Sequence, residues 1–578
     1  MKVLYGLIYE MDTTMQFMYI FLPCVIIALF VTHKLLEDNI RTWVGLTFMP
    51  LLVYIIYLIQ VYFKGDEELT LERYSIFGVI CLFLALWGLA VLLKRSFVAY
   101  GVVVSVFSVV LLLINIVLIW AVLLRPNVGN YSRLGWTESF SGAIDYMEQE
   151  YVLNDWKQID YDALRSEYIP RMSEVEESGD ENAYIQLLYE FTNEFHDGHV
   201  SVRGDLTKRS IAISQLAGND YGLSMFRCST GEIVAVLVYE ESECFEKGIH
   251  NGTVITKWDG VPVEEAAKQV KCIDSSYEFK CWENIHLAQP IFLAGQGGDT
   301  VQVTFLNDSG SEETVTLSAD GDYKGRRNIA LDIFFDTNVI QGNNYSNRIL
   351  NENIGYIRIN EEEYSSDPWF ITRCTLACFS HEIYEDLYRR IEAMKREGVD
   401  RIIIDLRNNN GGYGFESRTV ASLFVDGDIP NKLAYDKNGK EIVASTAKPI
   451  KDQGPFSDMK VVVLVNGETC SAGESMTDYL SKGDNVSIMG STYTWGAVQA
   501  TGGSVVLTNS EYSIRFPIIP ELDDNGQPNV DVGADYHARL KLDYFIEYDK
   551  AGVVERFENP DVDYVLEEAI EYIEKMPN

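Results

Sequence analysis

Four short apolar runs, NIGYIRI (353–359), RIIIDLR (401–407), KVVVLVN (460–466) and VSIMG (486–490), show no regular polar alternation. A strand with one wet face alternates, whereas a strand covered on both faces reads as a continuous apolar run. Helical stretches at about 380–397, 415–424 and 471–482 lie between them, and an acidic helix at 560–575 closes the chain. That order implies an α/β layered domain with a largely parallel core sheet over 323–578.

The other end of the chain has a different character. Residues 1–130 carry eight basic and eight acidic residues, so the whole net charge of −38 falls on the remainder. A surface that acidic repels phosphate backbones, which disfavours nucleic acid and favours neutral or basic peptides as partners. The neutral part holds four apolar stretches, roughly 16–32, 43–63, 75–93 and 97–124, with no charge inside them. Each has the length of a membrane span, so the expectation is a four-helix transmembrane anchor over 1–130. Basic connectors (Lys34, Arg41; Lys94, Arg95) and an acid-rich one (Lys64 to Arg73) predict both termini outside, hence a multi-pass cell-membrane protein with an extracytoplasmic catalytic part. The first stretch lacks a small-residue cleavage site and is not expected to be removed.

Between these ends, 131–205 reads as a small helical unit, with apolar residues at three- and four-residue spacing, ending at HDGHVSV. Residues 206–322 change to short strands with Gly- and Asp-containing turns. Segments YGLSMF, FEKGIHNGTVITKWDG and the helix that follows resemble a PDZ domain, with an insertion at 271–298. In such domains a peptide adds a strand to the sheet edge and backbone N–H groups hold its terminal carboxylate. The resemblance implies that Tyr221, Gly222 and Leu223 face the ligand's end. Cys228/Cys244, Cys272/Cys281 and Cys374/Cys378 could pair locally in an oxidising compartment. The absence of C-x-x-C knuckles argues against zinc.

Three strand ends carry chemistry. Ser471 follows a buried strand and opens a helix, where developing negative charge is favoured, though an N-cap serine reads the same way. Gly411 and Gly412 follow another buried strand and could form an oxyanion hole with the N–H of Ala472. His199, in HDGHV, is a candidate general base; a metal pair with His196 is the rival reading.

Taken together, Asp405-Leu406-Arg407-Asn408-Asn409-Asn410-Gly411-Gly412, Thr469-Cys470-Ser471-Ala472-Gly473-Glu474 and the D-G-H segment resemble the C-terminal processing (tail-specific) serine peptidase family, in its tricorn-core branch. The likeness spans about 136–545 and implies a crotonase- or ClpP-like protease fold, an acyl-enzyme on Ser471 and no cofactor. In the branch with a Ser–Lys pair the lysine sits where Trp495 stands here, and tryptophan cannot accept a proton. The resemblance therefore assigns the base to His199, with Asp531 as its acidic partner and Glu521 as the alternative. Gly198 replaces a serine found before the histidine in other members. A degenerate protease acting as a PDZ-type peptide-binding scaffold is the competing expectation.

Overall fold

The computed structural model describes residues 129–576 apart from 341, 427–432, 435–453, 520, 523–526 and 529. Its centre is a six-stranded sheet in the order Tyr544–Phe545, Val486–Gly490, Lys460–Leu464, Arg401–Asp405, Ile354–Arg358, Ser346–Ile349. Every neighbouring pair is parallel except the last, which is antiparallel. Ile354–Arg358 and Arg401–Asp405 are buried at every position, which is why their sequences do not alternate. Helices Gly414–Ala421 and Ala472–Leu480 follow directly on two of these strands, so both glycine-rich and serine-bearing turns open at the same strand ends.

The strand ends are held by a buried charge cluster. Asp405, fully buried, accepts from Arg358 Nη1 (3.0 Å), Arg407 Nη2 (2.7 Å) and the Tyr356 hydroxyl (2.7 Å). Arg407 continues to both oxygens of Asp563, at 2.8 Å each, and Asp563 caps the C-terminal helix Tyr564–Lys575.

Helices Trp136–Glu150, Tyr161–Ser178 and Glu181–Asn193 pack through Phe140, Met147, Tyr168 and Phe191. Asp160 and Asp180 cap the second and third, each accepting a backbone N–H from the first turn. This helical unit does not close on itself. Its core takes in Val505, Tyr512, Ile514 and Phe516, because strand Ser201–Gly204 pairs antiparallel with Tyr512–Ile519. Residues 217–323 form a β-rich unit whose sheet runs Val261–Pro262, Ile255–Trp258, Thr300–Leu306, Glu312–Ser318. The insertion supplies helix Trp282–Leu293.

Two expectations need correction. The four-helix transmembrane anchor is not supported: among the described residues no helix is long and apolar enough to cross a membrane. The longest of them, Tyr161–Ser178, reaches 18 residues but carries seven charged side chains from Asp162 to Glu177. The four apolar stretches themselves lie outside the described residues. Nor are the three local disulfides formed; all seven cysteines of the described part are free.

Candidate active site

Ser471 sits at φ 53°, ψ −116°, a conformation that side-chain-bearing residues rarely adopt. Such strain costs about 1–3 kcal/mol and persists only where the surroundings enforce it. Here they do. The Cys470 N–H donates to the Asn409 carbonyl (2.9 Å), and the Ser471 N–H donates to the Glu474 carboxylate (3.2 Å). Thr469 Oγ1 donates to the Leu406 carbonyl (2.8 Å), tying the turn to the neighbouring strand. A sharp strand-to-helix turn of this kind pushes a hydroxyl out of the backbone and into reach of a base.

The candidate base arrives from elsewhere in the chain. Helix Glu181–Asn193 ends, a turn through His196 and Asp197 follows, and strand Ser201–Gly204 begins. His199 Nε2 lies 3.3 Å from Ser471 Oγ, although the two are 272 residues apart. The His199 N–H donates to Asp197 Oδ1 (2.8 Å), which fixes the turn. Burial holds the imidazole pKa below its ordinary value; Asp197 opposes the shift, while Arg203 and Lys157 add to it.

The structure forms no direct hydrogen bond between His199 and the acid that the resemblance implies. Asp531 is fully buried and accepts from Gln499 Nε2 (2.7 Å) and the Val498 N–H (3.2 Å), not from His199. Burial and the nearby Asp197 push its pKa up. The carboxylate beside the imidazole is Asp197, whose Oδ1 is 4.0 Å from His199 Nδ1. That nitrogen is buried without a partner among the described residues, and Asp197 Oδ2 accepts from the Tyr151 hydroxyl (2.8 Å). A movement of about 1 Å would close the gap, as catalytic hydrogen bonds often do when substrate binds. Glu521 lies on the short strand Glu521–Leu522, paired with Leu433–Ala434.

At the glycine turn the three expected donors separate. The Gly411 N–H is taken by Asn409 Oδ1 (2.8 Å). The N–H groups of Gly412 and Ala472 have no acceptor among the described residues and are the ones available to an oxyanion. A Cβ on Gly411 would stand 2.8 Å from the Ser471 Cβ and 3.0 Å from the Ala472 nitrogen, so only glycine lets the two turns approach. Asn409 is the hub that sequence reasoning passed over: its amide also donates to the Ile359 carbonyl (3.0 Å) and Glu362 Oε1 (3.1 Å). Glu474 was passed over too. Besides Ser471 it accepts from the N–H groups of Gly496 (2.6 Å) and Ala497 (3.0 Å), and burial raises its pKa to about 7. The signal available was an Asn or Glu flanking each turn, which satisfies backbone donors that tight turns leave open.

Trp495 explains Gly198. Its ring packs edge-on to His199 at 6.1 Å, and a Cβ on Gly198 would come within 2.5 Å of it. Gly198→Ser is therefore expected to displace the indole or the histidine and cost at least tenfold in hydrolysis. Adding Trp495→Ala should restore part of that loss; an unaffected single variant would contradict the packing argument.

The residues expected to hold a peptide carboxylate look different. Tyr221 and Leu223 are buried in the β-rich core. The Gly222 N–H already donates to Asp220 Oδ1 (2.8 Å), and its carbonyl accepts from Cys244 Sγ (3.1 Å). His196 stacks on Tyr536 at 4.0 Å, and no group of three metal-ligating side chains occurs among the described residues.

Residues 353–537 match the model of Peptidase family S41. The carboxy-terminal processing protease CtpA of Bacillus subtilis is 33% identical over 24% of this chain and 30% of its own length. The chloroplastic carboxyl-terminal-processing peptidase 3 of Arabidopsis thaliana is 25% identical over 54% of this chain and 52% of its own. The chain thus spans about half, or less, of the length of these curated relatives. A crystal structure of mature CPAF is similar over 74% of this chain and 96% of its own, at 13% identity and a TM-score of 0.45. Over residues 353–537 the chain is thus similar to peptidase family S41, and over part of its length it is similar to carboxy-terminal processing proteases.

Proposed function

We propose that the chain hydrolyses peptide bonds through an acyl-enzyme on Ser471, with His199 as general base. The observation that carries this reading is the 3.3 Å approach of His199 Nε2 to Ser471 Oγ at a strained strand-to-helix turn beside a glycine pair. His199 takes the hydroxyl proton as Oγ attacks the carbonyl carbon, and the resulting oxyanion lies against the N–H groups of Gly412 and Ala472. The imidazolium then protonates the leaving amine, and water, deprotonated by the same nitrogen, releases the acyl group. Asp197 orients the imidazole within this scheme, and Trp495, standing where a lysine base would, supports the histidine-dependent reading.

A fluorophosphonate probe tests the reading, since only an activated serine is labelled. Labelling of the full chain that disappears in Ser471→Ala is expected; no labelling of the parent chain would favour the non-catalytic scaffold instead. The lowered imidazole pKa also has a sign. The base stays neutral to lower pH than a free imidazole, so kcat/KM should fall only below about pH 6.5. A midpoint above pH 7 would contradict it.

Substrates are peptides or proteins. Capture of free C-terminal tails at Asn219–Ser224 would require a tail to displace Asp220 from the Gly222 N–H.

A further inference from the structure

A cleft of about 260 Å³ opens beside the catalytic pair. Strand Ser201–Gly204 forms one wall and residues 272–278 the other, with Gly198 and Trp495, the two neighbours of His199, joining them. The strand is last in its sheet: Tyr512–Ile519 pairs with one edge, and no described strand takes the other. An open edge next to a hydrolytic serine is where an extended peptide can add main-chain hydrogen bonds.

The charge of this cleft runs against that of the protein. The chain has 85 acidic and 47 basic residues, so a cation without an acid is out of place. Yet the guanidinium of Arg203, which is exposed on the strand, makes no hydrogen bond or ion pair with any described residue. Arg209, behind it, donates only to neutral oxygens, Tyr189 Oη (3.0 Å) and the Val202 carbonyl (2.9 Å), and its Nε is buried without a partner. Arg515 stands within electrostatic reach of Arg203, as Glu278 does from across the cleft. The acids across the cleft are occupied: Asp274 by Arg327 (2.9 Å) and Glu278 by Lys280 (3.1 Å).

We propose that this cleft is a subsite for a carboxylate of the peptide substrate, bound by Arg203 with Arg209 behind it, while the peptide backbone pairs with the open edge of Ser201–Gly204. The inference rests on the peptidase reading. Guanidinium suits the task, since its fork matches a carboxylate with two parallel hydrogen bonds. Arg203 is four residues beyond His199, or about 13 Å along an extended chain, so the carboxylate belongs about four residues from the scissile bond. It can come from an acidic side chain or from the peptide's C-terminus.

Binding to the full chain carrying Ser471→Ala separates these sources. Three fluorescent peptides are compared by anisotropy: one with Asp four residues from the central bond and an amidated end, the same with Asn, and an Asn peptide with a free carboxylate ending at that position. The first, the third or both should bind about tenfold more tightly than the second. The preference should vanish in Arg203→Gln, and Arg203→Glu should favour Lys in place of Asp. Equal binding of all three peptides, or a preference that survives both substitutions, overturns the proposal. Hydrolysis is not read here, so a failed serine probe with an intact preference would sink the peptidase reading alone.

Discussion

Replacing Ser471 by Ala is expected to lower peptide hydrolysis by roughly 10⁴- to 10⁶-fold, His199→Ala by a similar factor, and the double variant by little more. The reason is geometric. One proton passes across one 3.3 Å contact, so losing either partner removes the whole transfer. What survives is the stabilisation offered by Gly412 and Ala472, which neither substitution touches. Single-turnover rates with a fluorogenic peptide measure the three losses. Additive effects would mean that the two residues act separately. Near-normal turnover in His199→Ala beside a dead Ser471→Ala would mean that another group is the base.

The second large effect concerns stability. Asp405→Asn should destabilise the folded chain by about 3–5 kcal/mol, because it leaves the buried guanidiniums of Arg358 and Arg407 short of a counter-charge. Burial alone would raise the pKa of Asp405, yet Arg407 and Arg358 outweigh it and hold the carboxyl well below its usual range. A folded pKa below the unfolded value, about 3.9, means that the contribution is present above that value and lost as pH falls through the folded one. Denaturant titrations of parent and variant should therefore differ fully at pH 7 and progressively less below about pH 4. A difference that is small at pH 7, or that does not shrink in acid, would show that the cluster is not what holds these strand ends together.

The parts of this architecture that could be read from the sequence are those dictated by burial. RIIID and KVVVL had to be covered on both faces, and the turn residues after them, Gly411 and Ser471, had to face the same way because the strands are parallel neighbours. The meeting of Ser471 with His199 was legible only through motif order, since nothing local ties residues 272 apart. What could not be read is the pairing of polar side chains across the interior. Asp531 and Asp197 are both buried acids near the histidine, and which one faces the imidazole depends on backbone placement to within an ångström or two. The division into units was hidden for a similar reason: the helical segment before His199 completes its core with residues 505–516, far along the chain.

That last arrangement has a consequence for how the protein is made. The strand that carries on from His199 is anchored by Tyr512–Ile519, which leaves the ribosome more than 300 residues later. Until then the helical unit lacks part of its interior, and contacts this distant in sequence form late because the intervening chain must first be closed. A nascent chain that has already exposed Ser471 still lacks the anchored histidine it needs. On the peptidase reading, the nascent chain stays inert by topology, and competence arrives only with the closing strands of the fold.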